Sequence, residues 1–489
     1  MMNTDAKTVV LVLLFMASTL IIAIPIQASS IFVVSPSGGD DTANIQAAFD
    51  EAVAAGPGST VQLEAGTFYL SSPIVVVNFD GHFKGAGKDV TIVQDLGVEP
   101  FPLHGLPLEP TPSLFAFYQD DSGFPSQIEF SDMTVRATGV SEIWSPHGWD
   151  DFNCMDLIRV YGKVTGVEDF EVSNVSTSAE RMCFEGEVDG FLPFGFNVLN
   201  AFLVTGENIW ELDTGGNLLF SYTKPITGTH TITHSSFKKV GSCFPYVGLE
   251  SSMVKVKDNK FDNVLFAFEI IDFSNTFAEF SHNDATNVHW CGVRAVQAEQ
   301  SALGLDFGPQ GPLPEPSTLL VSHNNIHGIE LADGVVIIDY APMVDAGKRL
   351  DAMISCNNIV LDVEDFGGVF GFFAQDVKVL NNRIKGTGRA GIYMGIVELE
   401  SNVYDSCAGW KVIGNNVEKF DALVAPIWLG PGTSGCTVVG GNNKLNVWDE
   451  GTNNILVGVN NMQGNPPGQD IKEAMEQKKG IIRSRPQRT

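Results

Sequence analysis

Basic residues are scarce in this chain of 489 residues. Lys and Arg total 29 against 58 Asp and Glu, so the formal net charge is −29. Phosphate binding requires a basic face, so neither nucleic acid nor a nucleotide is expected as a partner. An acidic chain binds a polyanion only where its surface is locally basic.

The sequence also lacks cysteine pairs at the spacing of a zinc site. No two of its seven cysteines form a Cys-x-x-Cys motif. An odd number in an exported protein leaves at least one thiol unpaired. A disulfide framework is typical of much smaller chains, so we expect small, buried apolar residues instead. The seven are Cys154, Cys183, Cys243, Cys291, Cys356, Cys407 and Cys436.

The N-terminus has the parts of an export signal. Lys7 precedes a mainly apolar run without charged residues over positions 9–24, and Ala28 offers a small residue for cleavage. We expect a signal peptide over residues 1–28 and a secreted, extracellular or cell-envelope protein. The alternative is an uncleaved anchor, because the run approaches the lower limit of about 17 residues for a spanning helix. An anchor would keep the protein associated with the cell surface.

Residues 38–56 predict an amphipathic helix. Asp40 and Asp41 stand at its start, where acidic residues suit the positive end of the helix dipole. Glycine and proline at positions 56–58 end it. Short β-like runs with frequent turns follow. The apolar face of the helix consists of Ile45, Ala48, Phe49, Ala52 and Val53.

This block resembles the N-terminal module of the pectate-lyase superfamily. The resemblance implies an all-β fold, a right-handed parallel β-helix solenoid with an N-terminal capping α-helix. The same fold carries lyases, hydrolases, epimerases and binding proteins, so it does not fix the function. The motifs lie within residues 35–95 and are Asp40-Asp41-Thr42 with Ile45-Gln46-Ala47-Ala48, Ala65-Gly66-Thr67-Phe68, and Gly85-Ala86-Gly87.

An asparagine recurs after a short β run through the rest of the chain, which predicts the coils of such a solenoid. Gaps of 24 to 42 residues fit one coil with variable loops. Asparagine suits a corner because it tolerates left-handed backbone and its amide bonds along a ladder. The β-helix domain is therefore expected over residues 29–462, followed by a basic tail over 463–489. The corner residues are Asn259, Asn283, Asn325, Asn358, Asn382, Asn416 and Asn443.

Counting ten to twelve residues on from the corners predicts a row of outward-facing side chains. Apolar neighbours fix the direction of each, because successive strand residues point to opposite faces. One coil contributes Val336 or Ile337. Stacked strands lie about 4.8 Å apart, so the row would form a ladder. Its other members are Tyr246, Glu269, Arg294, Phe370, Tyr393 and Trp428.

Members of the superfamily place their polysaccharide groove on such a face, so the resemblance implies a carbohydrate site here. Aromatic rings suit the apolar side of a pyranose, and an arginine can hold a uronate carboxylate. We predict Glu269, Arg294 and Tyr393 as catalytic residues. The alternative is an ordinary sheet surface, aromatic because of β propensity. The predicted substrate-binding residues are Tyr246, Glu250, Phe370 and Trp428.

Three functions fit this pattern. The favoured one is a protein that binds or acts on an acidic polysaccharide in the manner of a lyase. Arg294 would neutralise the substrate carboxylate while Tyr393 or another base handles the proton. The second is a glycoside hydrolase using Glu250 and Glu269 as paired carboxylates. The third is a non-catalytic adhesin or carbohydrate-binding scaffold.

Two further motifs carry less weight. Arg383-Ile384-Lys385 resembles a polygalacturonase tripeptide, but the Asn-Thr-Asp-Gly and Gly-His-Gly motifs of that group are missing, so its hydrolytic scheme is not supported. A loop holding His147 and Asp150 is a second candidate for acid–base or metal chemistry.

No cofactor is expected. Calcium-dependent pectate lyases cluster acidic residues near an arginine. Glu250, Glu269 and Arg294 form a thin version of that set, so calcium is only weakly indicated.

Overall fold

A computed structural model describes most of the chain after residue 28. The described ranges are 29–97, 112–119, 126–138, 155–161, 173–187, 197–205, 208–212, 218–223, 226–243, 245–297, 315–329, 333–339, 350–363, 366–395, 407–422, 424–440 and 445–462. The predicted signal peptide, the tail, the loop with His147 and the corner at Asn443 lie outside these ranges. The described residues contain one α-helix, α1 (Thr42–Ala55), and 39 strands, numbered β1–β39 in chain order.

Most of the strands stack in parallel on three faces, and successive coils add one strand to each face. The first face consists of β1 (Ile31–Val34), β2 (Ser59–Leu63), β5 (Gly81–Lys84), β8 (Ser126–Ser131), β11 (Ser173–Glu180), β17 (Thr229–Thr233), β20 (Met253–Lys257), β22 (Phe277–Ser281), β24 (Ser317–Ser322), β27 (Leu350–Ser355), β30 (Lys378–Leu380), β33 (Lys411–Ile413), β36 (Thr437–Val439) and β38 (Ile455–Val457).

The second face follows the first along each coil. It consists of β3 (Gly66–Leu70), β6 (Thr91–Asp95), β9 (Thr134–Arg136), β12 (Cys183–Glu185), β18 (Ser236–Ser242), β21 (Lys260–Ser274), β23 (Asp284–Gln297), β25 (Asn325–Ile329), β28 (Asn358–Asp362), β31 (Arg383–Gly388) and β34 (Asn416–Ala422).

The third face completes the coil, and the long strands β21 and β23 continue into it. Its other strands are β4 (Ile74–Val77), β7 (Ser113–Tyr118), β10 (Met155–Tyr161), β13 (Val198–Thr205), β19 (Pro245–Glu250), β26 (Val335–Asp339), β29 (Gly367–Phe372), β32 (Ala390–Met394), β35 (Ile427–Leu429), β37 (Leu445–Asp449) and β39 (Val459–Asn461).

Three short strands fall outside this scheme. The short strand β16 (Ile226–Thr227) pairs with β11 and β19, so it lies where the third face meets the first. The strands β14 (Asn208–Leu212) and β15 (Leu218–Thr223) form an antiparallel hairpin.

The core inside the coils is built largely from phenylalanine. Phe184, Phe237 and Phe261 come from three successive coils, and their rings stack with centroids 4.8 and 5.1 Å apart. Parallel strands about 4.8 Å apart place equivalent side chains in such files, and stacked rings fill the space between coils. The high phenylalanine content of the sequence is therefore mainly a property of the scaffold.

The helix α1 packs against the first coils, as the sequence predicts. Ile45, Ala48, Phe49 and Ala52 are buried, while Val53 is partly buried against the same core. The acidic start does not act as a simple cap. Asp41 accepts the N–H groups of Ser37 and Tyr69 rather than bonding to the helix, which ties the helix start to β3.

A buried asparagine ladder joins the coils at the corner between the first and second faces. The Oδ1 of Asn259 accepts the main-chain N–H of Ser235, and each later Oδ1 accepts that of the preceding ladder asparagine, at 2.9–3.0 Å. Each Nδ2 donates to a carbonyl of the first face. The predicted ladder is right in kind and wrong by one residue at three doublets. The members are Asn259, Asn283, Asn324, Asn357, Asn382 and Asn415, not Asn325, Asn358 or Asn416.

Candidate functional site

The predicted outward row exists as a continuous line of paired residues on the third face. Glu269 pairs with Arg294, and the line continues through Val336, Phe370, Tyr393 and Trp428. Trp448 extends it by one coil. Val336 is the member from its coil, because Ile337 is fully buried in the core. We call this line the third-face row.

Two predicted substrate-binding residues are not in the row. Tyr246 pairs with Ile270, which points into the core, whereas Pro245 is the residue opposite Glu269. Glu250 lies five residues beyond Pro245, opposite Ser274 and past a left-handed glycine, Gly248. The predicted place of Tyr246 in the row was wrong because it extended the row to a coil whose corner has no asparagine from which to count. Glu250 and Glu269 therefore do not form an opposed pair.

Glu269 and Arg294 form an ion pair that is buried on the acidic side and accessible on the basic side. Arg294 Nη1 donates to Glu269 Oε1 at 2.9 Å, and the Ser242 hydroxyl lies 3.4 Å from Oε2. The Arg294 side chain is 39% exposed and that of Glu269 only 10%. Burial raises the pKa of Glu269, although the charge and hydrogen bond of Arg294 act against that rise.

An aromatic pair lies beside this ion pair. Trp290 is 42% exposed and stacks on Phe266, with ring centroids 6.0 Å apart, while Arg294 Cζ lies 5.9 Å from the same Phe266 ring. The register shifts here, because Val264 pairs with Val288 and Phe266 with Cys291. The extra residue in β23 forms a β-bulge, which changes the direction of the neighbouring side chains. Counting along the sequence with a period of two does not reveal this bulge.

Tyr393 has the predicted position in the row but is not an exposed sugar platform. Only 4% of it is exposed, and its hydroxyl donates to Asp333 Oδ1 at 2.7 Å. The Gly367 N–H donates to the same oxygen at 2.6 Å. A Cβ at Gly367 would lie 2.8 Å from the Tyr393 ring, so a glycine lets that ring cross the neighbouring coil.

Asp333 is the titratable residue that the sequence analysis missed. Burial raises its pKa to about 7, although the bonds from Tyr393 and Gly367 and the charge of Arg389 lower it. Burial also raises the pKa of Tyr393, and the neighbouring Asp333 adds to that rise. Asp333 comes directly before the Gly-Val-Val that leads into β26, and this pattern predicts only a buried core strand. A carboxyl group that titrates near neutrality is suited to proton transfer.

The aromatic members of the row stack along the coils. Phe370 and Tyr393 have ring centroids 4.6 Å apart. Trp428 is half-buried against Trp448, and its indole N–H donates to Glu450 at 2.9 Å. These rings are therefore packed into the surface, and their predicted contacts with sugars remain a prediction.

A second arginine–carboxylate pair lies toward the N-terminal end of the third face. Arg159 pairs with Leu203, and the next residue, Val204, pairs with Tyr246, which places Leu203 level with Pro245, so Arg159 continues the row. Its Nε lies 3.1 Å from Asp156, whose pKa is raised by burial. Arg159 Cζ also lies 5.0 Å from the Tyr161 ring centroid. This pair is buried, unlike Arg294.

The remaining candidates lie elsewhere. Arg383 and Lys385 belong to β31 on the second face, and Tyr393 belongs to β32 on the third.

Among the residues that the structure describes, no three His, Cys, Asp or Glu side chains are grouped so as to hold a metal ion. No helix in the same ranges is long and apolar enough to cross a membrane. The described cysteines form no disulfide; five are buried and Cys356 is exposed.

Comparisons with solved structures identify the fold. DFA-IIIase from Arthrobacter chlorophenolicus A6 matches with a TM-score of 0.54 at 12% identity, over 84% of this chain and 94% of that one. The A-module of the mannuronan C-5 epimerase AlgE6 from Azotobacter vinelandii matches with a TM-score of 0.51 at 13% identity, over 87% and 96%. No protein-family model and no curated protein matches the sequence.

The fold is thus a right-handed parallel β-helix, as the N-terminal motifs predict. Identities this low establish the fold alone.

Proposed function

We propose that this chain is an exported carbohydrate-active protein that binds an acidic polysaccharide across the third-face row and acts on it as a lyase. One observation carries the proposal: Arg294 is a partly exposed cation in register with aromatic residues of the following coils. The A-module of the structural neighbour is named as a mannuronan epimerase, and mannuronan is a polymer of uronic acid.

The charge balance makes Arg294 the natural contact for a uronate. The chain carries a net charge of −29, so a polyanion is repelled except where a cation is locally available. The bond to Glu269 uses one of the five N–H donors of the guanidinium. The other donors of the guanidinium can bond a substrate carboxylate.

Lyase chemistry requires a proton to be removed next to that carboxylate. Arg294 would neutralise the carboxylate and so make the adjacent C–H more acidic. The electrons of the broken C–H bond would form a C=C bond as the glycosidic C–O bond breaks. The leaving oxygen then takes a proton. Tyr393, whose hydroxyl is bonded to Asp333, would give its own proton to the leaving oxygen and take the abstracted proton in its place, once substrate binding exposes that hydroxyl.

Binding and product analysis test the proposal together. Wild type should bind polygalacturonate or alginate oligosaccharides more tightly than a neutral glucan of equal length. Arg294→Ala should weaken acidic binding by about ten- to a hundredfold, the scale of a charge-assisted contact. Arg136→Ala is a matched control, because Arg136 makes a similar ion pair with Glu185 on the second face and is 32% exposed.

The product decides between the three functions. A lyase yields an unsaturated uronate that absorbs in the ultraviolet, whereas a hydrolase yields new reducing ends without that absorbance. Binding without either product would mean a carbohydrate-binding scaffold. Equal affinity of wild type and Arg294→Ala for acidic oligosaccharides would refute the site itself.

A further inference from the structure

We infer that Trp290, stacked on Phe266 beside Arg294, is a sugar-stacking subsite for a uronate-containing glycan. The inference rests on the proposed function and deepens it, since it names the surface on which a sugar ring lies. The sequence predicts sugar contacts from the aromatic residues of the third-face row, but of these Tyr393 is buried and Trp428 half-buried.

Trp290 is exposed in a way that the other aromatic residues of the third face are not. Among the Phe, Tyr and Trp side chains whose burial the structure describes, only Trp290 and Phe366 fall in the exposed class. An indole left partly exposed to water forgoes part of the stabilisation that burial would give it. The bulge in β23 places it there, between His289 and the buried Cys291. Bulges that re-aim a side chain are frequent next to functional sites.

The indole is also held in place, which a binding surface needs. Phe266 lies one coil below and supports one side of it, with an interplanar angle of 29°. The preceding residue, His289, is fixed by a contact of 2.5 Å between its Nε2 and Asn263 Oδ1. A rigid aromatic surface loses little conformational entropy when a ligand binds.

The neighbouring charge defines the chemical class of the ligand. Trp290 and Arg294 both lie about 6 Å from the centre of the Phe266 ring, so an aromatic surface and a guanidinium share one support. The apolar face of a pyranose stacks on an indole, and a carboxylate pairs with a guanidinium. A glycan that carries a carboxylate close to a sugar ring uses both groups, whereas a neutral glycan uses only the indole.

This division of roles gives the experiment. Calorimetry would measure dissociation constants for a uronate oligosaccharide and for a neutral glucan oligosaccharide of equal length. Trp290→Ala should weaken both by about tenfold, because stacking does not depend on the carboxylate. Arg294→Ala should weaken the uronate ligand only. Trp290→Phe keeps a ring and should recover most of the lost affinity.

The controls separate failure of the inference from failure of the function. Met253→Ala removes a 38% exposed apolar side chain on the first face and should change neither constant. A loss of uronate binding in Arg294→Ala with full binding in Trp290→Ala would overturn the subsite and leave the proposed function standing. No binding of either ligand by wild type would overturn both. Trp290→Leu keeps an apolar side chain but removes the ring, so it should lose the same affinity and keeps the test valid if Trp290→Ala fails to fold.

Discussion

The pH dependence of stability should report the state of Asp333. Its pKa is raised to about 7 from an ordinary value of 3.8, mainly by burial. Between these two pH values the folded chain binds more protons than the unfolded chain, so the free energy of unfolding falls as the pH rises. The contribution of this group is therefore fully present below about pH 4 and is lost as the pH rises through about 7.

The size of the effect follows from the shift. About three pKa units at about 1.4 kcal/mol each correspond to about 4 kcal/mol. Asp333→Asn retains an Oδ1 that can accept the N–H of Gly367 and the hydroxyl of Tyr393, but it cannot ionise. We expect the free energy of unfolding of wild type, relative to that of the variant, to fall by about 4 kcal/mol between about pH 4 and pH 8.

Urea unfolding followed by tryptophan fluorescence at several pH values would measure this difference. Glu269 titrates in both proteins, so its contribution cancels in the comparison. Tyr393→Phe removes a bond that lowers the pKa of Asp333, so it should move the transition to higher pH. Asp132→Asn is a control. The bond from Arg181 lowers the pKa of Asp132, so this carboxyl is ionised in both the folded and the unfolded chain above about pH 5. Parallel profiles for wild type and Asp333→Asn would refute the reasoning.

Three further predictions concern the scaffold and export. Asn324→Ala should lower the free energy of unfolding in urea by about 3 kcal/mol, because it leaves buried ladder groups unpaired. Asn325→Ala changes the exposed neighbour and should lower it by less than about 0.5 kcal/mol. Equal losses would contradict the assigned ladder. Asp40→Ala should lower the thermal midpoint at neutral pH, and the difference should vanish as the pH falls from about 4 to about 2, because bonds from Ser71 and Thr42 lower the pKa of Asp40 to about 2. N-terminal sequencing of exported protein should begin at Ser29, and a start at Met1 would favour the anchor.

The fold could be predicted because its determinants repeat. A corner asparagine and a period of two together fix which side chains face outward, so the register from Glu269 to Trp428 follows from counting. The one-residue error at the doublets was avoidable. The ladder residues Asn259, Asn283 and Asn382 are each followed by a charged residue that begins the next strand, and in the three mispredicted doublets the second asparagine occupies that position.

The site was less predictable because its determinants do not repeat. The bulge at Trp290 changes the direction of side chains without any mark in the composition of β23. Outward direction also does not guarantee exposure, since Tyr393 faces outward and yet lies across Gly367 onto Asp333. The raised pKa of Asp333 depends on burial by residues distant in sequence, which a local pattern cannot report.

Proton binding at Glu269 gives the acidic chain a way to accept an acidic glycan. Glu269 is the buried partner of the exposed Arg294, and its pKa is already raised by burial. On the proposed function, a glycan carboxylate at Arg294 competes with Glu269 for the same guanidinium, which further disfavours the ionised form of Glu269. Binding of an acidic glycan is therefore coupled to proton uptake at Glu269, so its affinity increases as the pH falls toward the pKa of that group. A neutral glycan leaves the ion pair undisturbed and has no such coupling, so the same arginine distinguishes the two classes of ligand by their pH dependence as well as by their charge.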